Sequence, residues 1–550
     1  MPTIEKRIDV ALGNAEADLV IRNARIFHLT TGDFETADIA ISDGMIVAVG
    51  TGSKGLCECD ATGLTAVPGF IDAHVHVESS LMAPAEYEKM VLRHGVTTVF
   101  CDPHELANVV GTRAFEFFAE ASRFLSLDMR VRLSSCVPST HLETAGAEVT
   151  SQDLKEWKEK LPQAGLAEFM NVPGVLFKDR EVLSKIALFD YIDGHAPLLS
   201  GNGLNAYIAA GVKNDHECSN LDEAREKLRR GMKILIREGS VAQQLNALLP
   251  LLTLENSMNV AFCTDDRNPF DIKVLGHIDA MISRAIAAGV SPLVAYRAAS
   301  YASAQIMGLN DRGVIAPGKR ADIVLLSDFE DCKIQNVFAN GRLVCDEMFA
   351  AKPSQDLKPF ENTVKCRSVT KDNFAMPQPT EGAPVIGIIE HSLITEYLKA
   401  PMDDIALISV LERHGKNGNI SKAYVHGFKL KKGAIASSVG HDSHNICVVG
   451  ASPDDMAVAV NALRDAQGGF TVAIDGKVAA MLPLPVAGLM SDQDEETVIS
   501  QLTALRNAAR ETGCTLDDPF MQLAFIPLPV IPFLKLTDKG LVDVQAFKLI

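Results

Sequence analysis

From residue 65 to residue 310 the sequence alternates, eight times over, between short apolar runs and amphipathic stretches. The strand-type runs cover 64–74, 96–102, 130–136, 166–171, 189–194, 210–215, 231–236 and 259–264. Helix-type segments lie between them, such as 84–94, 112–124, 222–230 and 241–252, and two more, 279–288 and 293–307, follow. Eight βα repeats in about 245 residues predict a TIM-type (β/α)8 barrel. A doubly wound open sheet is the architectural alternative, but no Gly-x-Gly-x-x-Gly follows an early strand to favour it.

The flanks of this middle are different. Residues 17–62 alternate in twos, with Asp43-Gly44 as the tight turn of a hairpin over 38–50. Strand patterns return at 313–326 and 334–344. Together they predict a small β-sandwich domain built from both flanks, 1–64 and 311–350. Residues 351–383 carry little pattern and read as a connector. From 384 to 550 a C-terminal α/β domain is expected. It holds an apolar run at 446–449, a helix at 453–467, a hairpin at 470–481 turning at Asp475-Gly476, and a helix at 495–512. The segment 525–533, with Pro527, Pro529 and Pro532, reads as an extended, strand-like edge or cover piece, and 534–550 as further extended chain. The fold class is therefore α/β, a barrel with two accessory domains.

A chain of 550 residues exceeds one ordinary core, and 47% hydrophobic residues are enough to fill several. The net charge of −18 argues against nonspecific nucleic-acid binding and against docking on an anionic membrane. No apolar run reaches transmembrane length, and Met1–Leu12 has no apolar signal core. The 11 cysteines are scattered, several in apolar runs, which suits a reducing cytoplasm. The expectation is a cytoplasmic protein with a small-molecule partner and no nucleic-acid or membrane partner. A homo-oligomer is expected, a dimer favoured.

In a barrel of parallel strands, functional groups gather at the C-terminal strand ends. There stand His74 and His76, then Asp102-Pro103-His104-Glu105, Glu168, Asp193-Gly194-His195, Asp215-His216-Glu217, Arg237-Glu238-Gly239-Ser240 and Thr264-Asp265-Asp266. His74 and His76, spaced i, i+2, share one face of a strand and can hold one metal. Four histidines and two carboxylates suffice for two ions about 3.5–4 Å apart with a shared carboxylate. The assignment is His74, His76 and Asp265 on one ion, His195 and His216 on the other, and Glu168 between them. Nitrogen and oxygen donors without thiolate fit Fe(II), Mn(II) or Zn(II). Glu78, Asp102, His104 and Glu105 either brace these ligands or hold an extra metal. Arg237, Glu238, Ser240 and Asp266 either bind substrate or brace loops. His277 either closes the pocket or caps a helix. His441, Asp442 and His444 are metal-ligand types in Gly440–Asn445, with no chemistry assigned.

Pro68-Gly-Phe-Ile-Asp-Ala-His-Val-His76, the split β flanks and an Asp after strand eight resemble the amidohydrolase superfamily. Within it the chain resembles the adenine deaminase family, through 67–80, 101–110, 168–175, 194–211, 214–218, 237–240 and 262–278, and through 415–490 of the C-terminal region. Many binuclear relatives that cleave cyclic amides place a carboxylated lysine where this chain has Glu168. The resemblance implies a hydrolase that deaminates the free base adenine to hypoxanthine and ammonia, in purine salvage. It implies two divalent metal ions per chain, Mn(II) or Fe(II) first and Zn(II) as the alternative. Such chemistry needs a base for a water proton, for which Asp265 is placed, and a proton shuttle, for which Glu217 is the candidate. The competing readings are a hydrolase of another aminated ring or cyclic amide, and a non-catalytic scaffold, which would lack the metal ligands.

Overall fold

The computed structural model describes residues 3–350 and 355–550. Eight short parallel strands form its centre: Phe70–Val75, Val96–Cys101, Asp128–Val131, Leu166–Phe169, Ile192–Gly194, Asn214–Asp215, Lys233–Arg237 and Val260–Cys263. The first two are buried along their whole length. A strand covered on both faces favours apolar side chains on either side, which is why these runs are largely apolar rather than strictly alternating, with Asp72, His74, Thr97 and Thr98 as buried polar exceptions.

Backbone hydrogen bonds carry the strands round into a ring. Strands one to three pair in parallel. The amide of Leu133 donates to Gly165 O (3.0 Å) and that of Ala167 to Leu133 O (2.9 Å), joining the third strand's end to the fourth. Strands four and five pair, and Lys213 N–H donates to Ile192 O (3.0 Å) to bring in the sixth. Strands six, seven and eight pair in register. The ring closes where Asp265 N–H donates to His74 O (3.0 Å) and His76 N–H to Asp265 O (3.1 Å). That last seam sets Asp265 beside both histidines of the first strand.

A second, eight-stranded sheet draws on both ends of the barrel sequence. Ala17–Phe27 pairs with Phe34–Ser42, Gly55–Asp60 and Thr65–Pro68, and Thr65–Pro68 pairs antiparallel with Ile323–Asp328. The chain passes from this sheet into the barrel through Gly69. A Cβ there would stand 2.3 Å from Thr97 Oγ1 and 2.9 Å from Asp322 Cβ, so the junction requires glycine.

The C-terminal region holds another eight-stranded sheet, Pro384–Ile388 through Lys477–Pro483, with helices Pro453–Asp465 and Glu495–Glu511 packed on it. It is seated on the barrel mouth by hydrogen bonds to the loop after strand three. Ser443 Oγ donates to Glu143 (2.7 Å), Asn445 Nδ2 to Thr144 O (2.9 Å), and Thr537 Oγ1 to Leu142 O (2.6 Å).

Two local expectations change. Residues 525–533 form no strand; they follow helix Pro519–Ala524 in tight turns, with Ile526 N–H on Leu523 O. Three prolines remove the donors a ladder would use, while Phe525, Leu528 and Ile531 are buried, so the segment covers rather than pairs. The helix expected over 241–252 is confined to Leu245–Leu248 and a 3-10 turn at Leu249–Leu251. Before it, Gly239 and Ala242 close a tight loop through a 2.9 Å hydrogen bond. No helix among the described residues is long and apolar enough to cross a membrane.

Candidate metal centre and active site

The barrel converges His74, His76, Glu168, His195, His216 and Asp265 on one point at the C-terminal ends of its strands. All are between 1% and 5% exposed. The Nε2 atoms of His74 and His76 stand 3.2 Å apart. Asp265 Oδ1 faces both, at 3.4 Å from His74 and 3.0 Å from His76. His76 is oriented by its other nitrogen, which lies 3.0 Å from Asp102 O. His195 Nδ1 is 2.7 Å from Glu168 Oε2, and His216 Nε2 is 3.3 Å from the same oxygen. The second oxygen, Oε1, looks the other way, 3.3 Å from His76 Nε2 and 3.8 Å from His74 Nε2. One carboxylate thus divides its oxygens between two histidine sets.

The electrostatics call for positive charge. Burial works against the Glu168 carboxylate, yet His195, His216 and His76 hold its pKa well below the ordinary range. Burial likewise opposes ionised Asp265, and Arg237 with the two strand-one histidines outweighs it. The reciprocal effect raises His76, against burial and His104, through Asp265 and Glu168. His216 is raised to about 9 by Glu168 and Asp265, again against burial. A nest of imidazole lone pairs and carboxylates that attracts protons so strongly is also a nest for a divalent cation. The donor set fits one: three-residue groups such as His74, His216 and Asp265, or Glu168, His195 and His216, bring their donor atoms within 4.8 Å of one another. With no thiolate among them, the donors suit a first-row divalent ion.

The neighbouring residues sort by what they touch. Arg237 is buried with both edges of its guanidinium engaged. It holds the two oxygens of Glu217, with Nη2 to Oε2 at 2.9 Å, and donates from Nη1 to Asp265 Oδ2 (2.6 Å). Asp266 lines the cavity and accepts from Ser79 Oγ (2.5 Å). Glu238 accepts from Leu245 N–H and binds Arg284, while Ser240 accepts from Asn268 N–H, so these two brace loops. Asp102 steadies His104, accepting at 3.1 Å from Nδ1, and also accepts from Ser134 Oγ (2.8 Å). Glu78 accepts from Leu106 N–H at the first turn of helix His104–Val110. Burial pushes its pKa up to about 7. His277 is the residue before helix Ile278–Ala287, with its ring 3.6 Å from Asp72 and outside the cavity.

The cavity is closed by the C-terminal domain. Leu393, Phe525, Leu528 and Ile531 form an apolar roof, and His441 and Asp442 reach in beside them. Lys535 ties two roof segments together, donating to Leu393 O (2.8 Å) and Phe525 O (3.0 Å). A hollow of about 150 Å³ adjoins the site, sharing Met170 and His195 with it. Sequence reasoning left His441 and Asp442 outside the site; the dense polar run Gly440–Asn445 was the available signal. The segment 525–533 was expected as an edge or cover piece, but nothing in the sequence tied it or Leu393 to this cavity.

Gly194 controls the approach to His195. A Cβ there would meet Asn214 O at 2.1 Å and Val212 Cγ1 at 2.7 Å. Gly194→Ala is expected to prise strand five from strand six and destabilise the fold by roughly 1–3 kcal/mol. It should also displace His195 and weaken metal retention. Thermal unfolding with and without chelator checks this, and an unchanged melting temperature would refute it.

Two family models match the chain: the amidohydrolase family over residues 65–344 and the adenine deaminase C-terminal domain over residues 389–548. The curated adenine deaminase 1 of Agrobacterium fabrum is 50% identical over 562 aligned residues, covering all of this chain and 97% of that protein. The adenine deaminase of Gluconobacter oxydans is also 50% identical, with 100% of both chains covered. That of Sinorhizobium fredii is 50% identical over 565 aligned residues, covering all of this chain and 99% of its own.

Proposed function

Because this chain belongs to the adenine deaminase family of the amidohydrolases, we infer that it hydrolyses the free base adenine to hypoxanthine and ammonia. Water adds at C6, the bond from C6 to the exocyclic amine breaks, and ammonia leaves. The observation that carries the hydrolytic reading is Glu168, a buried carboxylate whose two oxygens face two histidine sets. The substrate rests on full-length relatives named for it. Release of free hypoxanthine suits a role in purine salvage in the cytoplasm.

His74, His76 and Asp265 would hold one divalent ion and His195 and His216 the other, with Glu168 shared. Mn(II) or Fe(II) is the first choice for both and Zn(II) the alternative. Divalent ions held there would supply the acidification of a water, to a pKa of roughly 7, that hydrolysis near neutral pH needs. The remaining work falls to the chain. Asp265 takes the water's second proton. Glu217 carries a proton to the ring nitrogen and then to the leaving amine. Its Oε1 lies 3.5 Å from His195 Nδ1 and 3.6 Å from His216 Nε2, at the edge of the centre. Arg237, bound to both carboxylates, fixes the distance between base and shuttle. The apolar roof of Leu393, Phe525, Leu528 and Ile531 suits a flat heterocycle and keeps bulk water out.

The test is ammonia and hypoxanthine formation from adenine by purified protein reconstituted with Mn(II) or Fe(II), with adenosine and cytosine as controls. Turnover of adenine alone is the expected result. No ammonia from adenine by protein with metal bound would overturn the substrate.

A further inference from the structure

The barrel mouth carries another set of metal-type donors, which the reaction above does not use. His104 and Glu105 open the helix His104–Val110 on the barrel. His441, Asp442 and His444 stand on the loop between strands Ala434–Ser437 and Ile446–Gly450 of the C-terminal domain. All five are buried where the two domains meet.

Their donor atoms converge. His104 turns Nδ1 toward Asp102 and Glu168, and aims Nε2 away from them, at Glu105 Oε1 (3.2 Å) and Asp442 Oδ1 (3.7 Å). His441 Nδ1 is 2.5 Å from Glu105 Oε1 and 3.9 Å from Asp442 Oδ1. His444 Nε2 meets the other oxygen of Glu105. One donor atom each from His104, Glu105, His441 and Asp442 lies within 4.8 Å of the other three. An ion with tetrahedral bonds of about 2.1 Å spaces its ligand atoms about 3.4 Å apart. Four of the six distances between these atoms, 3.2, 3.7, 2.5 and 3.9 Å, scatter around that value.

Two observations separate this cluster from an ordinary hydrogen-bonded network. The contacts are close but misaligned: both oxygens of Glu105, Asp442 Oδ2 and the Nε2 atoms of His104, His441 and His444 complete no hydrogen bond. Neither Glu105 nor Asp442 has a lysine or arginine partner among the described residues. Two buried carboxylates without such a partner are costly unless another cation neutralises them. One divalent ion with two neutral imidazoles balances them.

We propose that His104, Glu105, His441 and Asp442 bind a further divalent transition-metal ion, which clasps the C-terminal domain to the barrel. It shares no ligand with the pair proposed above. The donor set of two nitrogens and two oxygens suits Zn(II), Mn(II) or Fe(II). The clasp also bears on the roof, because the His441 ring stacks on Phe525 with centroids 4.3 Å apart.

The experiment is metal counting on the intact protein, loaded with Zn(II) or with Mn(II) and freed of unbound ion by gel filtration. Three ions per chain are expected. His441→Gln and Asp442→Asn, made singly, should each lower the count to two while far-UV circular dichroism stays native. His195→Gln should lower it without touching the clasp, so loss of the catalytic pair and loss of this site are told apart. Wild-type protein that saturates at two ions overturns the proposal whatever the variants do. So does a count of three in either folded C-terminal variant.

Discussion

Replacing Glu168 with glutamine is expected to abolish adenine turnover, lowering kcat/KM by about 10³-fold or more, a loss of at least about 4 kcal/mol of transition-state stabilisation. The substitution keeps size and shape, so the buried packing around residues 166–169 survives. What changes is charge and symmetry. Glu168 offers an anionic oxygen to each histidine set, with Oε2 2.7 Å from His195 and Oε1 3.3 Å from His76. Glutamine offers one neutral oxygen and turns N–H donors toward the other set. One side of the centre must then lose its ligand, and the anion that offsets buried positive charge is gone. The metal count of the variant should fall together with turnover. A variant that keeps both ions and more than a tenth of wild-type kcat/KM would sink the bridging role.

Glu168 also shows how much was legible before the fold was known. An acidic residue inside the buried run 166–171 has no cheap structural explanation, and the fold indeed buries it among five imidazoles, those of His74, His76, His104, His195 and His216. His74 and His76 were legible because strand geometry alone puts them on one face. The barrel was legible because doubly covered strands are largely apolar and recur between amphipathic stretches. Arg237 was not. It occupied a strand end as expected, but its partners, Glu217 and Asp265, lie 20 and 28 residues away, and no periodicity couples residues at such distances. The same holds more strongly for His441 and Asp442. Their types were visible in Gly440–Asn445, whereas their meeting with Glu105 depends on how one domain seats on another. The segment 525–533 was read correctly as cover from its prolines and wrongly as strand. A cover piece and an edge strand share the same scarcity of N–H donors, and only the tertiary contacts decide between them.

Asp265→Asn is the sharper test of chemistry as opposed to metal binding. Asp265 has φ of 58°, in the left-handed region that most side chains avoid. Asparagine tolerates that region as well as aspartate does, so the backbone that closes the barrel should hold. The side chain cannot hold its role. Oδ1 faces His76 at 3.0 Å and Oδ2 accepts from Arg237 Nη1 at 2.6 Å. An amide must point its NH2 at one of these. Toward Arg237, two donors collide and the guanidinium shifts, taking Glu217 with it. Toward His76, a metal ligand is lost. In either rotamer no carboxylate remains to take the water proton, which removes a contribution of about 10²–10⁴. Turnover is therefore expected to fall about 10³-fold or more, chiefly in kcat, with a smaller loss of metal than in Glu168→Gln because Glu168 still serves both histidine sets. Parallel measurement of kcat, KM and metal content decides the matter. Retention of a tenth of wild-type kcat by a fully loaded variant would show that another group accepts the proton, and the roles given to Asp265 and Glu217 would have to be reassigned.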